Sequence, residues 1–156
     1  MREPTFRLAS DGDVPGIRDV VVGALREFGL DIEPGGEDAD LDSVERSYND
    51  AGGRFWVLTS KRSRIIGTVG VLDEGDGVCE LRKMYLAPDW RGKGWGRFLL
   101  IEALRFAREA GFRKVTLNTN SSMLDAIALY ERNGFRRLPA CANPCTRCDL
   151  TFEMEL

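Results

Sequence analysis

Apolar and polar positions follow two rhythms along this chain. Residues 5–8 read as a short first strand. Ile17, Val20, Val21, Ala24, Leu25 and Phe28 then recur at helical steps on one face. Asp13 is placed to cap that helix, Pro15 sits in its first turn and Gly29 stops it. Residues 31–42 form an acidic, glycine-containing loop, and residues 41–48 a short second helix. Gly52-Gly53 breaks the chain before strands at 55–59, 65–72 and 78–86, the last two joined by the hairpin signal Glu74-Gly75-Asp76-Gly77. Residues 94–110 predict a long helix: Trp95, Leu99, Ala103, Phe106 and Ala110 repeat at steps of three and four, and Gly111 supplies the residue just beyond its end. A buried strand covers 115–118. Ser122 caps the next helix, with Asp125 three residues on; Met123, Ala126, Ile127 and Tyr130 share a face, and Gly134 ends it. Residues 135–138 and 146–156 complete the sheet. A meander of strands followed by strand–helix alternation predicts one α/β domain over residues 1–156. It is a three-layer fold with a mixed central sheet of about six to seven strands flanked by helices.

The strand at 78–86 breaks its own alternation. Cys79 and Leu81 share one face, whereas Met84 and Leu86 have the opposite parity, so the apolar phase flips across Arg82-Lys83. A bulge does this in a strand with one buried face. A strand buried on both faces shows the same pattern without a bulge, and alternation alone leaves both open.

Composition narrows the class without naming a chemistry. The chain has 156 residues, 43% hydrophobic and 30% charged, which suits one globular core. Net charge is −3, against the basic balance expected of a nucleic-acid binder. No run reaches a membrane span, and Met1-Arg2-Glu3-Pro4 does not open an apolar leader, so a cytoplasmic location with free thiols is expected. Basic residues cluster at the 91–97 turn and at Arg132, Arg136 and Arg137, which fits a compact anion better than a duplex.

That turn, Arg91-Gly92-Lys93-Gly94-Trp95-Gly96, links the 78–86 strand to the long helix. Unpaired N–H groups at a helix start favour an anion, and glycines let a phosphate approach. A nucleotide P-loop would place Ser or Thr after Gly-Lys, where Gly94 stands. A dinucleotide loop needs G-x-G-x-x-G, and Gly92-x-Gly94-x-Gly96 misses the last step. The remaining pattern, with Leu86-Ala87-Pro88-Asp89-Trp90 before it and Arg97-Phe98-Leu99-Leu100 after it, resembles the coenzyme A pyrophosphate loop of the GNAT acetyltransferase superfamily. Ala126-Ile127-Ala128-Leu129-Tyr130-Glu131-Arg132-Asn133-Gly134-Phe135 resembles that family's second signature. The resemblance is good over residues 67–138. It also favours the bulge, for which these proteins are known.

The resemblance implies an acetyl-CoA-dependent N-acetyltransferase, acting by direct attack of an amine, with acetyl-CoA as co-substrate and no metal. Cofactor contacts would come from Met84, Tyr85, Leu86, Arg91, Gly92, Lys93, Gly94, Trp95, Gly96, Arg97, Asn118 and Asn120. The Met84 N–H would face the thioester oxygen, and Tyr130 would protonate the leaving thiolate; ordinary phenol and thiol pKa values of about 10 and 8.5 make that transfer nearly balanced. Without any histidine, Glu80 becomes the base, directly or through water. Against these roles stand an aromatic on a buried helix face for Tyr130 and a solvated strand position for Glu80. The family's Asn before Ala-Ile would fall at Met123, where this chain departs from the pattern. Asp31, Glu33 and Glu45 belong to the region that shapes the acceptor pocket, and their acidity would favour a cationic amine. The acceptor would be a small-molecule or peptide amine; a homodimer is compatible with the sequence.

Cys141, Cys145 and Cys148 lack a fourth ligand for zinc, and Cys79 lacks a basic partner that would make it a nucleophile. Two alternatives stay open: a non-catalytic acyl-CoA-binding regulator, and a nucleotide-binding module using the same loop.

Overall fold

The computed structural model describes residues 3–139 and 147–156. In chain order come β1 (Thr5–Leu8), α1 (Val14–Arg26), β2 (Arg54–Thr59), β3 (Ile65–Gly75), β4 (Val78–Leu86), α2 (Trp95–Glu109), β5 (Lys114–Thr119), α3 (Leu124–Arg132), β6 (Arg136–Arg137) and β7 (Leu150–Glu155). The strands form one mixed sheet in the order β1-β2-β3-β4-β5-β7-β6, in which β4 and β5 are the parallel pair. The expected architecture and strand number hold.

Two cores form, one on each face of the sheet. Ile17, Val21 and Leu25 of α1 pack with Leu41, Tyr48 and Phe55 on one side. Leu99, Leu100, Ala103, Leu104 and Ala107 of α2 pack with Val69, Val115 and Phe152 on the other. The buried face of α2 is thus rotated from the expected stripe, and Ala110 is exposed. Its aromatic residues cover the sheet toward β1 and β2, where Phe98 meets Phe6 at 5.3 Å and Phe106 meets Trp56 at 5.3 Å.

Three local expectations are corrected. The helix at 41–48 is instead a 3₁₀ turn (Ala39–Asp42) and a π-type turn (Glu45–Asn49). Ser43 separates them in extended conformation, its hydroxyl donating to Asp11 and accepting the Arg46 N–H; such side-chain bonds compete with helix. Phe28 is 42% exposed, because α1 ends before it and the Leu30 N–H folds back to the Leu25 C=O. α3 is capped at Met123 without a side-chain hydrogen bond, since the Ser122 hydroxyl and N–H are both spent on Asn120.

The end of α3 explains the Tyr130…Gly134-Phe135 spacing. Phe135 N–H returns to the Tyr130 C=O and Gly134 N–H to the Glu131 C=O, a Schellman closure that needs a left-handed residue at Gly134 (φ +98°). The closure seats the Phe135 ring against Tyr130, centroids 5.7 Å apart. A Cβ on Gly134 would also meet Met154 Sδ at 3.1 Å. Gly134→Ala is therefore expected to lower unfolding free energy by about 1–2 kcal/mol in urea titration.

Candidate functional site

β4 holds the site because it parts from β5 halfway along. Val78, Cys79 and Glu80 pair with Lys114, Val115 and Thr116, and pairing stops there. Against β3, the register jumps between Gly70–Arg82 and Thr68–Tyr85, leaving an extra residue on β4. Lys83 takes the strain at φ +54°. The phase flip across Arg82-Lys83 is thus a bulge, and it turns the end of β4 away from β5.

Backbone directions follow from this geometry. The Lys83 C=O accepts the buried Thr68 hydroxyl at 2.6 Å. In a trans peptide the C=O and the following N–H point opposite ways, and none of the described peptides is cis. The Met84 N–H is therefore turned from β3 into the opening. Ala87 N–H donates to Ile66 C=O at 2.8 Å, so Leu86 and Gly67 form a non-hydrogen-bonded pair. Leu86 polar groups face the opening, whereas those of Tyr85 face β3. The Leu86 C=O is already taken by Arg91 Nε and Nη2 at 3.0 and 2.8 Å.

The opening continues as one cleft of about 1220 Å³, from the 91–97 turn past Met84 to Glu80 and Tyr130. Gly94 is the cap of α2 at φ +89°, with no side chain capping the helix. The first-turn N–H groups are left for a ligand. Gly92, Gly94, Gly96, Arg91 and Arg97 line the cleft there; Lys93 and Trp95 do not. Lys93 Nζ donates to the Asp89 C=O at 3.1 Å, and the Trp95 ring packs on Phe98. Arg91 is drawn inward by Leu86 and by an ion pair with Glu27 at 2.7 Å, so it braces the turn. A strand edge with inward N–H groups, running into a helix start with open amides, fits a pantetheine arm ending in a diphosphate.

Tyr130 is 6% exposed, between Phe135 and Phe152. Its hydroxyl makes no hydrogen bond to the described residues, unlike the backbone-paired buried aromatic considered for it. Nor is that oxygen sealed in: among the described side-chain atoms Arg18 Nε alone is both buried and unpaired. The phenol thus opens onto the cleft. Burial, and to a lesser degree the Tyr85 phenol, push its pKa well above the ordinary value. Proton donation is less balanced than ordinary values suggest, although the same apolar walls raise the basicity of any thiolate beside it.

Glu80 is buried rather than solvated. Burial first, then a hydrogen bond with Glu74, push its carboxyl up to about 7, while Arg82 and Asn118 pull the other way. Asn118 therefore serves Glu80, and its Oδ1 accepts the Thr151 hydroxyl at 2.7 Å. Asn120 is also committed: its amide donates to the Arg147 C=O and accepts from Ser122. At the position of the family's Asn, Met123 Sδ accepts the Thr119 hydroxyl at 3.6 Å.

Asp31, Glu33 and Glu45 do not line the cleft; the acidic groups there are Glu37, Glu74, Glu80 and Asp125. Glu45 instead accepts the Asp11 N–H at 2.9 Å. Buried beside the bulge lies an ion cluster not anticipated from the sequence. Lys83 Nζ is 3.0 Å from Asp38 and 3.2 Å from Asp40; Arg147 forks onto Asp38, and the Tyr48 hydroxyl donates to Asp40. Burial opposes the Asp38 charge, but Arg147, the Glu33 N–H and Lys83 together hold its carboxyl well below the usual range. The signals available were the phase flip at Lys83 and the acidic run at 37–42.

Cys79 is a free, buried thiol pushed up to about 12 by burial and by Asp73, which removes it as a nucleophile. Cys148 is disulfide-bonded, which corrects the expectation of a free thiol there. Cys141 and Cys145 lie outside the described residues. Among those residues no helix is long and apolar enough to cross a membrane.

Comparison with known proteins establishes the family. The profile of the acetyltransferase (GNAT) family matches residues 23–135. The uncharacterized N-acetyltransferase YjgM of Escherichia coli K12 is 35% identical over 143 residues, covering 88% of this chain and 84% of that one. A GNAT-family acetyltransferase of Staphylococcus aureus Mu50 superposes with a TM-score of 0.88 at 20% identity, covering 97% and 98% of the two chains. The PaiA N-acetyltransferase of Thermoplasma acidophilum, solved with coenzyme A, superposes with 0.80 at 19% identity, covering 99% and 100%. The chain belongs to the GNAT acetyltransferase family. It is an acetyl-CoA-dependent N-acetyltransferase.

Proposed function

We propose that this protein acetylates a primary amine by direct attack, with Tyr130, Glu80 and the Met84 N–H carrying the chemistry. The observation that carries the reading is the cleft joining the 91–97 turn to a raised carboxyl and to a phenol that has no hydrogen-bond partner among the described residues. Acetyl-CoA, when bound, supplies an activated acyl group. Gly92, Gly94 and Gly96 offer N–H groups to its diphosphate, with Arg97 beside them and Arg91 bracing the turn. Of the three β4 residues, Met84 and Leu86 face the pantetheine, and Tyr85 contributes its side chain. The Met84 N–H donates to the oxygen that becomes negative; one such donor is worth about 2.7–4 kcal/mol in other enzymes. Tyr130 gives its proton to the departing sulfur. Glu80 takes a proton from the amine, directly or through water. The acidic lining of Glu37, Glu74 and Glu80 favours a cationic acceptor, small molecule or peptide.

Initial rates over both substrates test direct attack: intersecting lines are expected, and parallel, ping-pong lines would contradict it. Glu80 works as a base only when ionised, so kcat/KM is expected to rise as pH passes upward through about 7. Glu80→Gln should abolish that limb and lower the rate at least about 100-fold. Were the limb to survive the substitution, the proton would go elsewhere.

A further inference from the structure

Lys83 occupies a position that a lysine has little reason to take. Its backbone is left-handed at φ +54°, a region costing a side-chain-bearing residue about 1–2 kcal/mol. Its side chain is only 4% exposed, although an ammonium is among the groups least tolerant of burial. Glycine or asparagine would suit the backbone better. What the lysine adds is reach. Nζ lies 3.0 Å from Asp38 and 3.2 Å from Asp40, themselves 0% and 7% exposed, on the segment that crosses beside β4.

We propose that these ion pairs hold the bulge in its left-handed conformation and so aim the Met84 N–H, making Lys83 a positioning residue for acetyl transfer. The inference rests on the reading of that N–H as the donor to the developing negative oxygen. Two anchors fix the Lys83–Met84 peptide plane. The Thr68 hydroxyl holds the C=O against β3. The ammonium holds the other side of the residue through Asp38 and Asp40. With one anchor removed, φ can relax toward the extended region and the plane can rotate about the remaining bond. Because Asp38 is also forked by Arg147 and Asp40 is bound by Tyr48, the acceptor-side segment and the C-terminal segment are tied to the same peptide plane.

Lys83→Met keeps length and removes charge. It leaves Asp40 with Arg82 at 3.8 Å and the Tyr48 hydroxyl but without the closer ammonium, so Lys83→Met/Asp40→Asn is the charge-balanced second variant; Asp38 keeps Arg147 in both. Two quantities are read on whichever variant keeps the wild-type circular dichroism. The first is the ¹³Cα and ¹³Cβ chemical shifts of residue 83, which report whether the left-handed conformation survives. The second is thiol release from acetyl-CoA, in water alone and with the fastest amine of a fixed panel of primary amines. The expected result is loss of the left-handed signature, a fall in kcat of about tenfold or more, and a KM for acetyl-CoA within about threefold, since the 91–97 turn is untouched. A retained left-handed signature, whatever the rate, would overturn the inference. So would a fall in kcat matched by an equal loss of acetyl-CoA affinity. Lost conformation with unchanged kcat would instead remove the Met84 N–H from the mechanism, and Lys83 with it. If neither variant folds, Lys83→Gly, which tolerates φ +54°, decides: full kcat without the ammonium would overturn the inference, and a tenfold fall would support it.

Discussion

Replacing Tyr130 by Phe is expected to cut kcat by about 10²- to 10⁴-fold while leaving the fold and the KM for acetyl-CoA near their original values. The size follows from what general acid catalysis contributes when a leaving group must be protonated. The selectivity follows from the structure. The hydroxyl has no hydrogen-bonded partner among the described residues, so removing it strands nothing. The ring keeps its contacts with Phe135 and Phe152. A structural aromatic would give the opposite result: unchanged turnover. The nearest substitute is Tyr85, which also lines the cleft and whose phenol burial pushes up to about 12. A Tyr130→Phe enzyme with full kcat and a Tyr85→Phe enzyme without it would move the acid to β4. Because burial keeps the Tyr130 phenol protonated well beyond its ordinary pKa, no alkaline loss of rate from this group is expected below about pH 10.

The largest expected effect on stability comes from Asp38→Ala, a loss of about 3 kcal/mol or more in urea unfolding. Asp38 is fully buried and holds two cations, Lys83 at 3.0 Å and Arg147 through a forked pair. Removing one member of a buried ion cluster leaves charge without compensation, which typically costs about 3–5 kcal/mol. It also accepts the Glu33 N–H at 2.7 Å, so the turn from Glu33 to Asp38 loses a tie. The pH dependence has a definite sign. The folded carboxyl is depressed, so its contribution is complete above the unfolded value of about 3.9 and is lost as pH falls through the lower folded value. Wild type is expected to lose stability in that acid range more steeply than Asp38→Asn. Equal acid profiles would mean that the cluster contributes nothing to folding.

Local chemistry made much of this legible in the chain. Gly94 and Gly134 sit where backbone geometry demands φ above zero, and both were readable as the start and end of helices. The parity change between Leu81 and Met84 is the imprint of one extra residue on β4, with the family resemblance deciding between bulge and double burial. Tyr130 was singled out by the family resemblance of the 126–135 stretch; the structure explains its spacing to Gly134-Phe135 as a helix closure that presses two rings together.

The illegible part is long-range pairing. Lys83 meets Asp40 across 43 residues and Arg147 meets Asp38 across 109, distances at which no period or cap leaves a trace. The acidic run therefore reads as a solvated loop, although two of its carboxylates are core. The same holds for Arg91: its charge suggested a phosphate ligand, but a carbonyl five residues back and Glu27 just past the end of α1 claim it. Asn118 and Asn120 looked free, yet the Thr151 hydroxyl on β7 donates to Asn118, the Arg147 C=O accepts from Asn120, and Ser122 donates to Asn120. Phe28 left the expected core face because α1 closes two residues earlier than its apolar pattern.

A crystal structure of this protein with coenzyme A tests the account most directly. The expected result is a diphosphate on the backbone N–H groups of residues 92–97, the pantetheine along Met84 and Leu86, and the sulfur within about 3 Å of the Tyr130 hydroxyl. A diphosphate bound elsewhere, or a sulfur directed away from that phenol, would contradict it.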